Sequence, residues 1–355
     1  MTRLFIKNKR LLISLYDGCQ YRCGFCMYGY VKETQPLKRQ DSMSEQDWYK
    51  VLSEAYAQGF RQLEIGGRGE PTLNPAFTKL VARAHKLGYQ IELLSNALND
   101  KAIIKILPLI QRLTINLNAL DKEGMARIHV PPLGFSFDRC VALIKNVVRA
   151  VAAKNLDIKL GINYVVTKES FKDAFYFPDK VNSLFASELG AHRHMEVSYQ
   201  HARNYIKASE YLGFDYEELQ KILLLARINS RKKSLLGNPS LMDFIRKTEK
   251  LIERLKPFSE KSSVKASKGF KHTQYACDVH RNVLFIDGNG DCYGCYNPFR
   301  AVNGLPIDKD PLYFGNLKSQ RFDQIAVERK EFNHVMDVSK PYWRPCLLCT
   351  ALLNC

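Results

Sequence analysis

The chain has 355 residues, of which 46% are hydrophobic and 25% charged, and this composition excludes a wholly disordered protein. No apolar run is long enough to span a bilayer, and "LLISLY" near the amino terminus is too short for a signal peptide and lacks a small-residue cleavage site. The net charge of +17 suggests an anionic partner, such as nucleic acid, a phosphorylated small molecule or an acidic peptide; the alternative is a generally basic surface.

The cysteine content indicates the redox compartment. Ten cysteines occur in a chain without an export signal. Cytosolic thiols are kept reduced, so clustered cysteines there more often bind metal than form disulfides. We therefore expect a cytoplasmic metalloprotein with no membrane partner.

The first part of the chain alternates short β-branched or leucine-rich runs with amphipathic stretches. The predicted strands are Leu11–Tyr16, Gln62–Gly66, Gln90–Ser95, Arg112–Leu117, Ile158–Val166 and Met195–Tyr199. The predicted helices are Ser44–Ala57, Pro75–Leu87, Asp100–Leu107, Phe137–Lys154 and Pro178–Leu189. This order predicts an α/β fold with right-handed crossovers and a parallel sheet, open or curved into a partial (β/α)6 TIM-like barrel, with the working site at the carboxyl ends of the strands.

The pattern changes twice after this alternating region. Residues 201–272 are rich in Lys and Arg and read as helix without strands, ending in the polar linker "SEKSSVKASKG". Residues 273–355 contain "VLFIDGNGDCYGCY", which predicts a β-hairpin, and the remaining cysteines. We therefore predict three segments: a barrel over 1–200, a basic helical segment over 201–272 and a small Cys-rich domain over 273–355.

The stretch "CQYRCGFC" places Cys19, Cys23 and Cys26 on a loop directly after the first predicted strand. A [4Fe–4S] cluster normally takes four cysteines, so three would leave one iron open for a substrate or cofactor. The alternatives are a zinc site completed by a distant ligand and a group of thiols without metal. Zinc prefers paired two-residue spacings, so the spacing favours iron–sulfur.

This triplet resembles the CxxxCxxC signature of the radical S-adenosylmethionine (SAM) family, which carries an aromatic residue, here Phe25, before the last cysteine. The resemblance implies that Cys19, Cys23 and Cys26 ligate a catalytic cluster whose open iron is chelated by the amine and carboxylate of SAM. An electron from the reduced cluster then cleaves the sulfonium. The product is a 5′-deoxyadenosyl radical, which abstracts a hydrogen atom from substrate.

The stretch "EIGGRGEPTLNP" after the second predicted strand resembles the glycine-rich GGEP-type motif of that family, in a GxGEP form. The resemblance implies that this motif binds the methionyl amine of SAM, with Glu70 supplying a carboxylate for the ammonium. Missing Cβ atoms would let a ligand approach the backbone closely at Gly66, Gly67 and Gly69. A dinucleotide fingerprint is excluded, because Thr72 breaks GxGxxG and Pro71 stands where the helix would begin.

Weaker similarities follow at later strand ends. "LLSNA" places Ser95 and Asn96 where relatives often read "TNG", and Asn116 stands where relatives usually carry a serine near the SAM ribose. These residues are expected to contact SAM, although each could be an ordinary turn or cap residue.

Six cysteines lie after residue 276. They are Cys277, Cys292, Cys295, Cys346, Cys349 and Cys355. The two CxxC pairs alone would predict a zinc ribbon. The region, however, resembles the SPASM and twitch extensions of radical SAM enzymes, in which a cysteine is followed by a GxxxxC hairpin and later by CxxC.

That second resemblance implies that an auxiliary [4Fe–4S] cluster is held by Cys277, Cys295, Cys346 and Cys349. Cys292 and Cys355 would then be spare thiols, which ligate no cluster. The two-cluster pattern continues past the point where this chain stops at Cys355, so one auxiliary cluster is preferred over two.

The reaction is predicted only as a class. An auxiliary cluster can ligate substrate or accept an electron, which fits oxidation, whereas a spare thiol such as Cys292 or Cys355 could return a hydrogen atom in an epimerisation.

Relatives that modify ribosomal peptides often carry a recognition domain before the triplet, and eighteen residues precede Cys19 here. We therefore expect a small polar substrate, such as a sugar, cyclitol or nucleotide, and an external electron donor such as flavodoxin or ferredoxin. Peptide maturation is the alternative.

An anionic group of the substrate could be bound near the end of the sixth strand. The candidates, beside the basic helices after residue 202, are His192, His194, Glu196, His201 and Arg203; such faces are often only solvated. The competing class is a zinc-ribbon protein that binds nucleic acid. Nucleic acid is not the expected partner, because the glycine motif would have no role there.

Overall fold

A computed structural model describes residues 9–16, 18–26, 42–131, 134–167, 170, 173–190, 195–201, 242, 245–246, 248–249, 282–294 and 313–328. All six predicted strands are present, with ends that differ by a few residues. They are β1 Lys9–Ile13, β2 Phe60–Ile65, β3 Gln90–Ser95, β4 Arg112–Asn116, β5 Lys159–Val166 and β6 Glu196–His201.

Helices lie between these strands. They are α1 Glu45–Ala57, α2 Phe77–Leu87, α3 Asp100–Ile106, α4 Lys122–Ile128, α5 Phe137–Ala153 and α6 Phe177–Leu189. Helix α1 begins as predicted at Ser44, whose hydroxyl accepts a bond from Asp47 N–H while the Asp47 carboxylate accepts from Ser44 N–H. Helix α4 was not predicted. Its seven residues are too few to show a clear helical period, and its start depends on the Asp121 side chain, which accepts from Gly124 N–H at 2.7 Å.

Three further strands continue the same sheet. They are β7 Val283–Ile286, β8 Asp291–Tyr293 and β9 Tyr313–Asn316. In the described part of the chain the strand order is β6-β5-β4-β3-β2-β1-β7-β8-β9. Every pair from β6 to β7 is parallel, and β8 and β9 are antiparallel to their neighbours. The sheet is open, which confirms the partial barrel.

Strand β7 pairs in parallel with β1, with Leu11 opposite Leu284 and Ile13 opposite Ile286. The predicted hairpin is therefore present as β7 and β8, and it extends the barrel sheet next to the strand that leads into the cysteine loop. This junction was not predicted. The division into three segments stays a prediction.

The two faces of the sheet differ in polarity. Leu11, Ile13, Leu63 and other alternate residues belong to the apolar core that the helices cover. Some residues of the other face are polar, and there Arg10 Nη1 lies 2.9 Å from Oε2 of Glu64, which stands one residue before the carboxyl end of β2.

One expected substrate residue lies at the wrong end of this polar face. Glu196 is the first residue of β6, and its Oε2 lies 2.7 Å from Nη2 of Arg112, the first residue of β4. Parallel strands place these residues at the amino ends, opposite the expected site, so the prediction for Glu196 is wrong. His192, His194 and Arg203 lie outside the described residues, as does the side chain of His201.

Several other predictions also fall outside the described residues. Of the segment 201–272, the structure describes the backbone of His201 and, further on, residues 242, 245–246 and 248–249, with Ile245 in the core. The expected auxiliary ligands Cys277, Cys295, Cys346 and Cys349 are not described, nor is Cys355. None of the helices in the described part combines the length and apolar character that a membrane crossing requires.

Candidate active site

The loop that carries the three cysteines leaves the carboxyl end of β1 and is held by backbone hydrogen bonds. Gly24 N–H donates to the carbonyl of Ile128, and Arg22 N–H donates to that of His129, both at 3.1 Å. These carbonyls stand at the end of α4, where a helix has acceptors without intrahelical partners. The unpredicted helix therefore supports the cysteine loop.

The glycine motif packs directly against the same loop. Glu70 N–H donates to the carbonyl of Gly18 at 2.7 Å. A Cβ atom on Gly69 would overlap the carbonyl oxygens of Tyr16 and Gly18. Gly69 is thus required by the close approach of the protein's own backbone, rather than by the ligand approach that we expected.

The other two glycines of the motif have separate roles in packing. Gly67 has a φ of +111°, a conformation that favours glycine, and a Cβ there would lie 3.3 Å from the ring of Phe285 in β7. At Gly66 a Cβ would lie 3.0 Å from the Cβ of Leu94. The motif is therefore enclosed by protein on several sides, and its contact with SAM stays a prediction.

The carboxylate of Glu70 is buried, with a 2% exposed side chain. Its Oε1 accepts bonds from Thr72 N–H at 3.1 Å, the Thr72 hydroxyl at 2.6 Å and the Ser95 hydroxyl at 2.8 Å. Its Oε2 accepts from Asn96 N–H at 2.8 Å. Burial raises the pKa of Glu70, and these donors oppose that rise. Glu70 therefore links the glycine motif to the end of β3, and its expected bond to the SAM ammonium stays a prediction.

The remaining expected SAM residues lie at the same ends of the strands. The Ser95 hydroxyl donates to Glu70 Oε1. Asn96 Nδ2 lies 3.0 Å from Gln20 Oε1 and 3.7 Å from Cys19 Sγ. Asn116 Oδ1 accepts from Asn163 Nδ2 at 2.8 Å. Within the described residues the buried Oδ1 of Asn163 has no hydrogen-bond partner, which suits a polar ligand at this edge of the sheet.

The three thiols of the loop are close enough to interact electrostatically. Burial raises the pKa of Cys23 well above its usual value, and the neighbouring thiols of Cys26 and Cys19 raise it further. No disulfide joins the described cysteines. In the described ranges no three His, Cys, Asp or Glu side chains are grouped so that they could hold one metal ion. A cubane binds each cysteine through a different iron, so its ligands need not converge on one point.

A histidine that the sequence analysis did not select lies against this site. His129 is fully buried, its Nε2 accepts from Asn118 N–H at 2.9 Å, and its Nδ1 lies 3.2 Å from Cys23 Sγ. Burial lowers the pKa of His129 to about 3. Its ring packs against Tyr21 and the edge of Phe25, with centroids 4.8 and 6.1 Å away. A single histidine after a short helix gives no sequence signal of such a contact.

A buried ion pair joins the glycine motif to the hairpin. Arg68 Nη1 lies 2.6 Å from Asp287 Oδ2, with side chains 16% and 0% exposed. The Arg68 guanidinium also stands 5.2 Å from the ring centroid of Tyr293. Arg68 interrupts the family-like glycine pattern, and this is the signal from which its special role could have been suspected.

Two further thiols lie in the core. Cys292 is fully buried, its thiol donates to the carbonyl of Gly290 at 3.6 Å, and burial raises its pKa well above the usual value. A substrate radical would not reach a thiol enclosed in the core, which argues against Cys292 as a hydrogen donor. Cys140 is buried and accepts a bond from the Tyr21 hydroxyl at 3.2 Å.

Two family models match this chain. Residues 13–173 match the radical SAM superfamily, and residues 277–350 match the SPASM iron–sulfur cluster-binding domain. The first match covers the cysteine loop and the glycine motif, and the second begins at Cys277. Both resemblances inferred from the motifs are thereby confirmed.

The chain is also similar to curated proteins over part of their length. It is 31% identical over 123 residues to GTP 3′,8-cyclase 2 of Pseudomonas aeruginosa, which is 33% of this chain and 35% of that protein. It is 25% identical over 167 residues to an S-adenosylmethionine-dependent nucleotide dehydratase of Lacinutrix mariniflava, which is 45% of this chain and 33% of that protein. The chain thus spans about a third of these relatives (35% and 33%).

Solved structures resemble nearly the whole chain. SuiB of Streptococcus suis bound to the precursor peptide SuiA aligns with a TM-score of 0.60 at 18% identity, covering 98% of this chain and 71% of that chain. The enzyme anSMEcpe with bound AdoMet and the Cp18Cys peptide aligns with a TM-score of 0.59 at 17% identity, covering 97% and 88%. At these identities the likeness shows the fold alone.

Proposed function

Because the chain belongs to the radical SAM superfamily and carries a SPASM iron–sulfur domain, we propose that Cys19, Cys23 and Cys26 hold the [4Fe–4S] cluster that cleaves SAM. The resulting 5′-deoxyadenosyl radical abstracts a hydrogen atom from a small polar, anionic substrate. The observation that carries this proposal is the direct packing of the cysteine loop on the glycine motif, through Glu70 N–H and the carbonyl of Gly18.

When bound, the cluster supplies the electron that breaks the sulfonium bond. The residues of the chain provide the rest of the site. Three cysteines leave one iron open, the glycine motif lies beside them for the methionyl group, and Glu70 holds Asn96 in place through a buried bond. The amide pair of Asn116 and Asn163 offers hydrogen bonds at the ends of β4 and β5 for the ribose or the substrate.

The substrate class rests on charge and on the sequence relatives. The net charge of +17 suits an anion, and the two sequence relatives are named for GTP and nucleotide chemistry. We infer a nucleotide or a phosphorylated sugar or cyclitol, which is oxidised or epimerised. Burial of Cys292 in the core argues against one of the two thiols that could return a hydrogen atom, and Cys355 keeps epimerisation as the alternative to oxidation.

The auxiliary site completes the proposal. Cys277, Cys295, Cys346 and Cys349 would hold one auxiliary [4Fe–4S] cluster within the SPASM domain, with two clusters as the alternative. An external donor such as flavodoxin or ferredoxin would supply the electrons. The second candidate substrate is a ribosomal peptide, because the similar solved structures contain a precursor peptide in one case and a short peptide in another.

The experiment is anaerobic reconstitution followed by incubation with SAM, a reductant and a panel of candidates. The panel contains deuterated nucleotides, sugar phosphates and peptides, and mass spectrometry detects deuterium in 5′-deoxyadenosine. We expect about eight irons per chain with one auxiliary cluster, and deuterium transfer from an anionic small molecule. If deuterium is transferred only from a peptide, the substrate is a peptide and not an anionic small molecule. If SAM neither changes the spectrum of the reduced cluster nor is cleaved, the proposal is wrong.

A further inference from the structure

We propose that His129 is a positioning residue of the SAM cluster, whose Nδ1–H donates a hydrogen bond to the Cys23 thiolate, orients that ligand and raises the reduction potential of the cluster. The inference rests on the proposed function, since it takes Cys23 to be a cluster ligand.

The hydrogen-bond partners define the tautomer of His129. The backbone N–H of Asn118 can only donate, and it points to Nε2 at 2.9 Å. Nε2 therefore carries the lone pair, and the neutral imidazole has its proton on Nδ1. Cys23 Sγ lies 3.2 Å from Nδ1. With its proton on Nδ1 the ring donates to the sulfur, and an iron-bound thiolate, being charged, accepts such a bond more strongly than a thiol.

The backbone around His129 is held in a strained conformation. Val130 has a φ of +44°, in the left-handed region that β-branched residues rarely adopt. Such strain persists where the surrounding structure determines it. Here the carbonyls of His129 and Val130 both accept from Arg22 N–H, at 3.1 and 3.3 Å. The ring and the cysteine loop are thereby fixed together.

Cys19 and Cys23 differ in their nearest nitrogen neighbours. Cys19 is approached by Asn96 Nδ2 at 3.7 Å, and the same amide lies closer, at 3.0 Å, to Gln20 Oε1. Cys23 instead has the short contact of 3.2 Å to a ring nitrogen. Hydrogen bonds to cluster sulfurs tune the potential, and an N–H donor stabilises the more negative, reduced state.

The test compares reduction potentials in matched variants. The potential is that of the cluster whose electron paramagnetic resonance signal changes on adding SAM. His129→Leu should shift it to more negative values by about a tenfold change in the reduction equilibrium, which is about 59 mV for one electron. His129→Asn, which can place an amide N–H near the position of Nδ1, should restore part of the shift. Tyr21→Phe, in the same wall, should leave the potential unchanged.

A second measurement uses the unaltered protein, in case the His129 variants do not assemble. Labelling with [δ1-¹⁵N]histidine should produce a hyperfine coupling between that nitrogen and the SAM-responsive cluster. Absence of the coupling, or a potential that is the same in His129→Leu and wild type, overturns the proposal and leaves His129 as a packing residue. If SAM changes no cluster signal at all, the proposed function fails instead, which is a separate result.

Discussion

Strand β1 pairs in parallel with both β2 and β7, and the segments beside these two strands are held in different ways. On the β2 side, the glycine motif and the cysteine loop are joined by neutral backbone bonds, such as the one from Glu70 N–H to Gly18 O at 2.7 Å. On the β7 side, the hairpin is joined to the glycine motif by one buried ion pair, Arg68 with Asp287. Neutral bonds spread the stabilisation over many groups, whereas a buried pair concentrates it in two side chains.

The largest effect is expected when a cysteine of the loop is replaced. Cys23→Ala should lower the iron content from about eight to about four per chain and abolish SAM cleavage, because the remaining two cysteines cannot hold the cluster. Iron assay and 5′-deoxyadenosine release measure the change. Cys140→Ala, which alters a core thiol, is the control and should keep both. Equal iron in Cys23→Ala and wild type would contradict the assignment.

The next prediction breaks the attachment of the hairpin. Asp287→Asn removes the charge that faces Arg68, which leaves an uncompensated buried cation and should cost about 3–5 kcal/mol of unfolding free energy. Urea denaturation of the reconstituted protein measures it. Arg68→Met combined with Asp287→Asn should cost less than the sum of the single changes. Costs that add within about 0.5 kcal/mol would show that the two side chains act independently.

A smaller effect is expected at the side chain of Glu70, whose backbone N–H forms part of the neutral junction. Glu70→Gln leaves a buried donor without an acceptor, because an amide nitrogen cannot accept from Asn96 N–H or from the hydroxyls, and the cost should be about 1–3 kcal/mol. Urea denaturation measures this cost, and a SAM titration shows whether the cofactor site is also disturbed. Glu188→Gln, near the end of α6, where Glu188 Oε2 lies 3.6 Å from Lys145 Nζ, is the control and should leave SAM binding intact. Equal loss of SAM binding in both variants would remove Glu70 from the site.

The smallest effect is expected at an exposed ion pair, which serves as a comparison for the buried pair of Arg68 and Asp287. Lys122 and Asp138 are 2.8 Å apart, with side chains 71% and 65% exposed, and water screens such a pair. Lys122→Ala should therefore leave the melting temperature unchanged within error. A decrease as large as that of Asp287→Asn would mean that burial does not explain the difference.

Much of the fold could be predicted from local patterns. All six barrel strands follow short β-branched or leucine-rich runs, and the capping box at Ser44 marks the start of α1. The cysteine triplet and the glycine motif identify the family. Helix α4 escaped prediction because it is short. Glu196 was misplaced although the predicted strand already put it near the amino end, and only the sheet showed that its partner is Arg112.

Sequence by itself determined the local elements and the identity of the chemical groups, since propensity, periodicity and motif spacing act over neighbouring residues. Tertiary structure alone decided the partners: His129 meets Cys23 across 106 positions, and Arg68 meets Asp287 across 219. It also placed β7 on β1. The physical reason is that strand order, register and crossover bring distant segments together, and no interaction between adjacent residues specifies such a contact.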